Sequence, residues 1–231
     1  MRPGVDPPGW HGKLPSLGDF ASRRLGRDFL DPWDAWLAHG LHQMRQQNPA
    51  GWLAAYLASP SRRFLLMPGV LPGVAGQQAW AGVLMPSVDR VGRYFPFTLA
   101  MPLAALPAST LQMQSLWFWL GRLDDLAAEA LHEDWAIDRL EAELVRMAGP
   151  DIQALAPASG ALPLAPGSLA TLALPGGQDI SQHIAIEAQA LWQQRALGLG
   201  YWYASSDLQA PSLRVSRGLP SSAADLLGAT I

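Results

Sequence analysis

Between Arg62 and Leu103 the chain carries three short apolar runs, RRFLLMP, QAWAGVLMP and GRYFPFTLAMP. Each holds an aromatic residue and each is bounded by proline or glycine. No other feature narrows the fold as much. The runs are too short for ordinary helices, and apolar segments bracketed by breakers are the signature of strands. Segments this close in sequence pair most simply as an antiparallel meander. Leu65, Trp80, Val83 and Phe95 are the side chains expected to pack inward. Pro96 has no N–H to give, so it belongs at an edge, a bulge or a strand start.

Helical patterns flank the meander on both sides. Trp33, Trp36, Leu37, Leu41 and Met44 fall at helical spacing. Asp31 is expected as the N-cap and Pro32 as the first helical residue, where its missing N–H costs nothing. Pro49 ends that run, and a shorter helix is expected over 50–58. The longest helix is expected over 109–133, capped by Ser109 or Thr110. Its buried stripe would be Leu116, Leu120, Leu123, Ala127 and Ala130, widened by Trp117 and Trp119. A further helix covers about 137–147. Trp10 to Leu14 reads as a short strand, followed by a loop, PSLGDF. Near the end come a strand at 169–174, a helix at about 179–197, strands at 200–204 and 212–216, and a last helix at about 221–227.

This order does not alternate strand with helix, so a doubly wound fold is excluded in favour of α+β: a central, mostly antiparallel sheet flanked by helices in layers. Residues 1–9, with three prolines and two glycines, read as a flexible lead-in. Residues 10–231 read as one domain with a Pro/Ala/Gly-rich loop at 149–167, because the segment after that loop is too small to bury much surface alone.

Composition removes several functional classes. Apolar residues make up 49% of the chain and charged residues 15%, so a buried core is available and wholesale disorder is excluded. The net charge is −3, without the basic stripe of a nucleic-acid binder. The absence of cysteine excludes disulfides, zinc ribbons and thiol nucleophiles. The N-terminus lacks the apolar core of a secretory signal, and no stretch reaches the length of a membrane span, so a cytoplasmic protein is expected.

Catalytic patterns are sparse. None of the five histidines sits in a nucleophile or metal-ligand motif. His39 and His42 share a helix face without completing a metal spacing, and neither PSLGDF nor PGGQD matches a phosphate loop. The adjacent carboxylates at Asp124–Asp125 and Glu133–Asp134 point in different directions on a helix. An enzyme would need two of His11, Asp19, Asp89 and His183 to converge. The denser signal is the mixture of Trp10, Lys13, Asp19, Phe20, Arg23, Arg24, Asp31, Trp33, Asp34 and Trp36, rich in the residue types found at interface hot spots.

The run GWHGKLPSLGDF, followed by RRL and FLDPWDAWL, resembles the opening of the TagF family, accessory proteins of type VI secretion. VGRYFPFTLAMPL, Val91 to Leu103, is similar to that family's G-R-x-[FY]-P-[LF] segment. The resemblance covers about residues 10–105. Later, Tyr201 and Trp202 stand where the family often shows two tryptophans, and SLRVSRGLP again resembles it. Membership implies a non-enzymatic, post-translational repressor that binds the forkhead-associated (Fha) scaffold protein, with no cofactor and no metal. It also implies a link to the pathway of a PppA-like phosphatase, to which some relatives are fused; without metal-phosphatase aspartate motifs in these residues, that activity is expected from elsewhere. The residues expected at the contact are Trp10, Lys13, Asp19, Phe20, Arg23, Arg24, Arg93 and Tyr94. A permanent structural part of the secretion apparatus and a hydrolase are the alternatives.

Overall fold

The computed structural model of the chain describes residues 6–16, 19–147, 149–150, 152, 180–206 and 209–228, with the side chains of 180–187, 206 and 209 left aside. The strands are β1 (Gly9–Gly12), β2 (Ala21–Arg23), β3 (Arg62–Leu66), β4 (Trp80–Met85), β5 (Phe97–Pro102), β6 (Leu199–Ser206) and β7 (Gln209–Arg217). The helices are α1 (Arg27–Gln47), α2 (Trp52–Leu57), α3 (Thr110–His132), α4 (Ile137–Arg146), α5 (Ile180–Ala196) and α6 (Ala224–Leu227). The strands form one sheet in the order β2-β1-β5-β4-β3-β6-β7, and all neighbouring strands pair antiparallel. The fold is therefore α+β, built around the expected meander β3–β4–β5. The N-terminal hairpin is added at one side and the C-terminal hairpin at the other.

The meander is buried on both faces. All six residues of β4 are buried, which explains why these runs show no polar alternation. Leu65 and Val83 pack toward α3 and α4, whereas Trp80 and Phe95 pack toward α1. Pro96 lies just before β5, in keeping with a strand start. Behind the sheet, α3 presents Leu116, Leu120, Leu123, Ala127 and Ala130, all fully buried. Its N-cap is Ser109, whose hydroxyl accepts the Gln112 N–H at 3.2 Å. In front, α1 buries Phe29, Trp33, Trp36, Leu37, Leu41 and Met44. Gly40 lets α6 approach closely, since a Cβ there would come within 2.5 Å of the Ala223 methyl.

Two sequence expectations need correction. Helix α1 begins at Arg27, not Asp31, so Pro32 lies in its interior. A proline deep inside a helix costs ~3 kcal/mol, and here it removes the hydrogen bond to the Asp28 carbonyl. The extra turn brings Phe29 into the core, 5.3 Å from the Trp33 ring and 4.3 Å from Trp80. Full burial of a phenylalanine contributes about 1.5–3 kcal/mol and each aromatic pair about 0.5–1.5 kcal/mol more, enough to offset the proline. The second correction is β2, which falls between the PSLGDF loop and the expected helix, where no element was expected. It has three residues, Ala-Ser-Arg, and no alternation, so only its pairing with β1 reveals it. The strand expected at 169–174 and most of the 149–167 loop lie outside the described residues.

Trp202, of the family-like YWY run, is a core residue. It stacks on Trp33 at 6.2 Å and donates its indole N–H to Ser216 Oγ at 3.0 Å.

Candidate functional site

Strand β1 divides the sequence-predicted residues into two groups on opposite faces of the sheet. Alternation along a strand sends Trp10 to one face and His11 to the other. Trp10 is fully buried in the α3/α4 layer, and its indole N–H donates to Glu141 Oε1 on α4 at 2.5 Å. Arg24 joins the same carboxylate through both terminal nitrogens, Nη2 lying 3.1 Å from Oε1 and Nη1 paired with Oε2. Its Nε and Nη2 also donate to the Pro8 carbonyl at 3.2 and 3.0 Å. Arg24 takes a left-handed φ of 59° at the turn from β2 toward α1, and these bonds hold that conformation. Burial pushes the Glu141 carboxyl up, but the Arg24 and Trp10 hydrogen bonds and the charges of Arg24 and Arg23 outweigh it and hold the group below its ordinary range. Arg23 is exposed. This corner ties the N-terminal segment to α4.

The other face carries Lys13, Asp19, Phe20, Arg93 and Tyr94. Lys13, the sole lysine, is buried, and its Nζ donates to Asp89 Oδ2 at 2.6 Å. Arg93 Nε donates to the same oxygen at 2.7 Å. The other oxygen of Asp89 accepts the backbone N–H groups of Val91 and Arg93 at 3.0 and 2.9 Å. Burial raises the Asp89 carboxyl, yet these bonds from Lys13, Arg93 and Val91 override it and hold the group well below the usual carboxylate range. The Ser87 hydroxyl donates to the Lys13 carbonyl at 2.7 Å, and the Tyr56 hydroxyl donates to the Ser87 carbonyl at 2.9 Å.

Above this buried pair the surface is aromatic and charged. Phe20 is 47% exposed. Its ring lies 4.7 Å from Lys13 Nζ, 4.8 Å edge-on from Phe95 and 6.1 Å in a stack on His11. His11 Nε2 lies 3.0 Å from Asp34 Oδ1 on α1. Asp19 is outward, 3.9 Å from Arg93 Nη2. Tyr94 is half-buried, edge-on to Trp52 and Tyr56. Of the eight residues, then, Asp19, Phe20, Arg23 and Arg93 present side chains to solvent. Trp10 and Lys13 are interior, Arg24 is bound to Glu141 and Pro8, and Tyr94 supports the face from below.

Proximity in sequence placed Arg23 and Arg24 with Asp19 and Phe20; in the structure Arg24 turns to Glu141 on α4, whereas Phe20 lies by Lys13 and Phe95 and Asp19 by Arg93. Sequence reasoning gave Glu141 no role, because it lies 117 residues from Arg24. Asp89 entered only as a hydrolase candidate. Its position before a glycine turn was the available signal, since aspartate side chains commonly bond the backbone two residues on. In the structure its two oxygens are occupied by four donors. The His183 side chain lies outside the described residues. Among those described, no group of three or more His, Asp or Glu side chains converges as metal ligands would. Nor is any described helix long and apolar enough to cross a membrane.

Fold and surface together define an antiparallel sheet domain, covered by helices on both faces, that displays a charged and aromatic patch ordered by a buried ion pair. The chain belongs to the TagF N-terminal domain family, which is type VI secretion system-associated, and the family model matches residues 9–147. Among solved structures it resembles PA0076 from Pseudomonas aeruginosa PAO1, with 33% identity and a TM-score of 0.71 over 96% of this chain and 92% of that one. No curated protein matches the chain.

Proposed function

We propose that the chain is a non-enzymatic repressor of type VI secretion that acts after translation, in the cytoplasm, by binding the forkhead-associated (Fha) scaffold protein. The contact is the patch around Phe20, with Asp19 and Arg93 beside it. The observation that carries this reading is the exposed Phe20 ring held over the buried Lys13–Asp89 pair. An exposed aromatic with its position set in advance loses little side-chain freedom on binding. Surplus charged groups around such an anchor give specificity more than affinity. A PppA-like phosphatase would act on the same pathway.

The test is co-purification of the chain with Fha from cells expressing an active type VI system, together with a secretion assay. Deleting the chain should raise secretion, and Phe20→Ala combined with Asp19→Ala should release Fha and reproduce the deletion. Failure of the intact chain to retain Fha, or unchanged secretion on deletion, defeats the reading.

A further inference from the structure

We propose that Arg90 and Val91, held out on a loop that Asp89 keeps in one shape, are the specificity-determining contacts of the docking face, and that they meet a carboxylate beside an apolar side chain on the partner. This rests on the preceding reading that the face binds the forkhead-associated protein.

The loop joins β4 to β5. It is closed by the Val88–Tyr94 bridge and by two backbone bonds, Asp89 N–H to the Arg93 carbonyl and Gly92 N–H to the Asp89 carbonyl, both 3.0 Å. The turn needs a left-handed residue, and Gly92 supplies it at φ 80° without a Cβ penalty. Inside the turn the Asp89 carboxylate binds the Val91 and Arg93 N–H groups and, on its other oxygen, Lys13 and the Arg93 guanidinium. The anchor is buried, whereas the tip is not. Val91 is 65% exposed, more than Phe20. Asp89 therefore acts as a positioning residue, touching nothing on the partner itself.

Charge bookkeeping picks out Arg90. Lys13 and Arg93 face Asp89 and Asp19, so two cations meet two anions. Arg90 is exposed, and its side chain makes no ion pair or hydrogen bond with the described residues. Burying such a guanidinium at an interface is unfavourable unless the partner provides the opposite charge. A carboxylate answers it with two parallel hydrogen bonds. Val91 beside it supplies the apolar contact.

The experiment is calorimetric titration of the full chain with purified Fha from the same secretion system, alongside thermal melts. Arg90→Glu and Val91→Asp should each weaken binding roughly tenfold or more, as hot-spot changes do, with the melting temperature unchanged. Asp89→Asn should weaken binding by a similar factor at a temperature where circular dichroism shows it folded. Leu144→Ala, a core truncation in α4 on the other side of the sheet, should lower the melting temperature yet bind within about twofold of wild type. Wild-type binding with Arg90→Glu and Val91→Asp both within about twofold of it overturns this proposal alone. Absence of binding by the wild-type chain overturns the choice of partner, and this proposal with it. If Asp89→Asn does not fold, the two tip variants decide the matter.

Discussion

The two layers of core on either side of the sheet are made differently. The layer under α1, α2 and α6 is aromatic: Phe29, Trp33, Trp36, Tyr56, Phe64, Trp80 and Trp202 pack in it. Each of its indole N–H groups is satisfied, Trp33 by Thr98 Oγ1 at 3.0 Å, Trp36 by the Pro220 carbonyl, Trp80 by the Ala75 carbonyl and Trp202 by Ser216. The layer under α3 and α4 is mainly leucine and alanine. It leaves the Trp119 indole nitrogen and one Asp124 oxygen buried without a partner, while on the α1 side the unpartnered buried atoms are His11 Nδ1 and Gln43 Oε1, neither of them an indole. It also leaves a groove of about 550 Å³ lined by Met113, Trp117, Trp192, Tyr201, Tyr203 and Leu213. Directional bonds on large rings specify one arrangement, whereas aliphatic packing tolerates several. Phe95 and Tyr94 pack on the aromatic layer, so the proposed docking face stands on that layer.

The sharpest way to break that contrast is truncation on each side. Trp33→Ala should cost about 3–5 kcal/mol, because it opens a large cavity and strands the Thr98 hydroxyl. Leu120→Ala should cost less, near the lower end of about 2–5 kcal/mol. Urea unfolding of both variants checks this, and an equal or larger loss for Leu120→Ala removes the distinction.

Acid comes next. The Asp89 and Glu141 carboxyls are both held below their ordinary values of 3.8 and 4.5. The unfolded chain then binds protons more readily than the folded one, so their contribution is complete above those values and is lost as pH falls through the folded pKa. The melting temperature should therefore drop steeply below about pH 4. Asp89→Asn should be less stable at neutral pH and show a shallower acid limb. A parallel acid limb in that variant would mean that Asp89 is not the group being titrated.

Smaller effects sharpen the same comparison. Trp33→Phe should cost about 1–2 kcal/mol more than Trp119→Phe, since only the first breaks a buried hydrogen bond. Reversed values from the same unfolding curves would show that the unpartnered Trp119 nitrogen is not what it is here. Phe118 is 73% exposed on α3, and Phe118→Ser should stay within about 0.5 kcal/mol of wild type. A larger loss would point to packing on that helix face.

How far the molecule could be read from its sequence depended on the range of the interaction. The meander, the Ser109 cap and the stripe Leu116–Leu120–Leu123–Ala127–Ala130 are local or periodic, and each was legible. The start of α1 was not, because Asp31–Pro32 is a good local helix start that the burial of Phe29 against Trp80 overrides. At the candidate site the density of Asp19, Phe20 and Arg93 was visible. That Lys13 is the buried partner of Asp89, 76 residues away, was not.

Composition and periodicity alone determined that this chain makes an antiparallel sheet between helices, since hydrophobic pattern and turn residues act over a few positions and carry their own signal. Tertiary structure alone decided which of the clustered polar and aromatic residues face solvent. Strand alternation and pairing send Trp10 and Arg24 to Glu141 on α4, Lys13 to Asp89 and His11 to Asp34 on α1. Pairings of that kind join residues far apart in sequence and leave no mark on the neighbours of either.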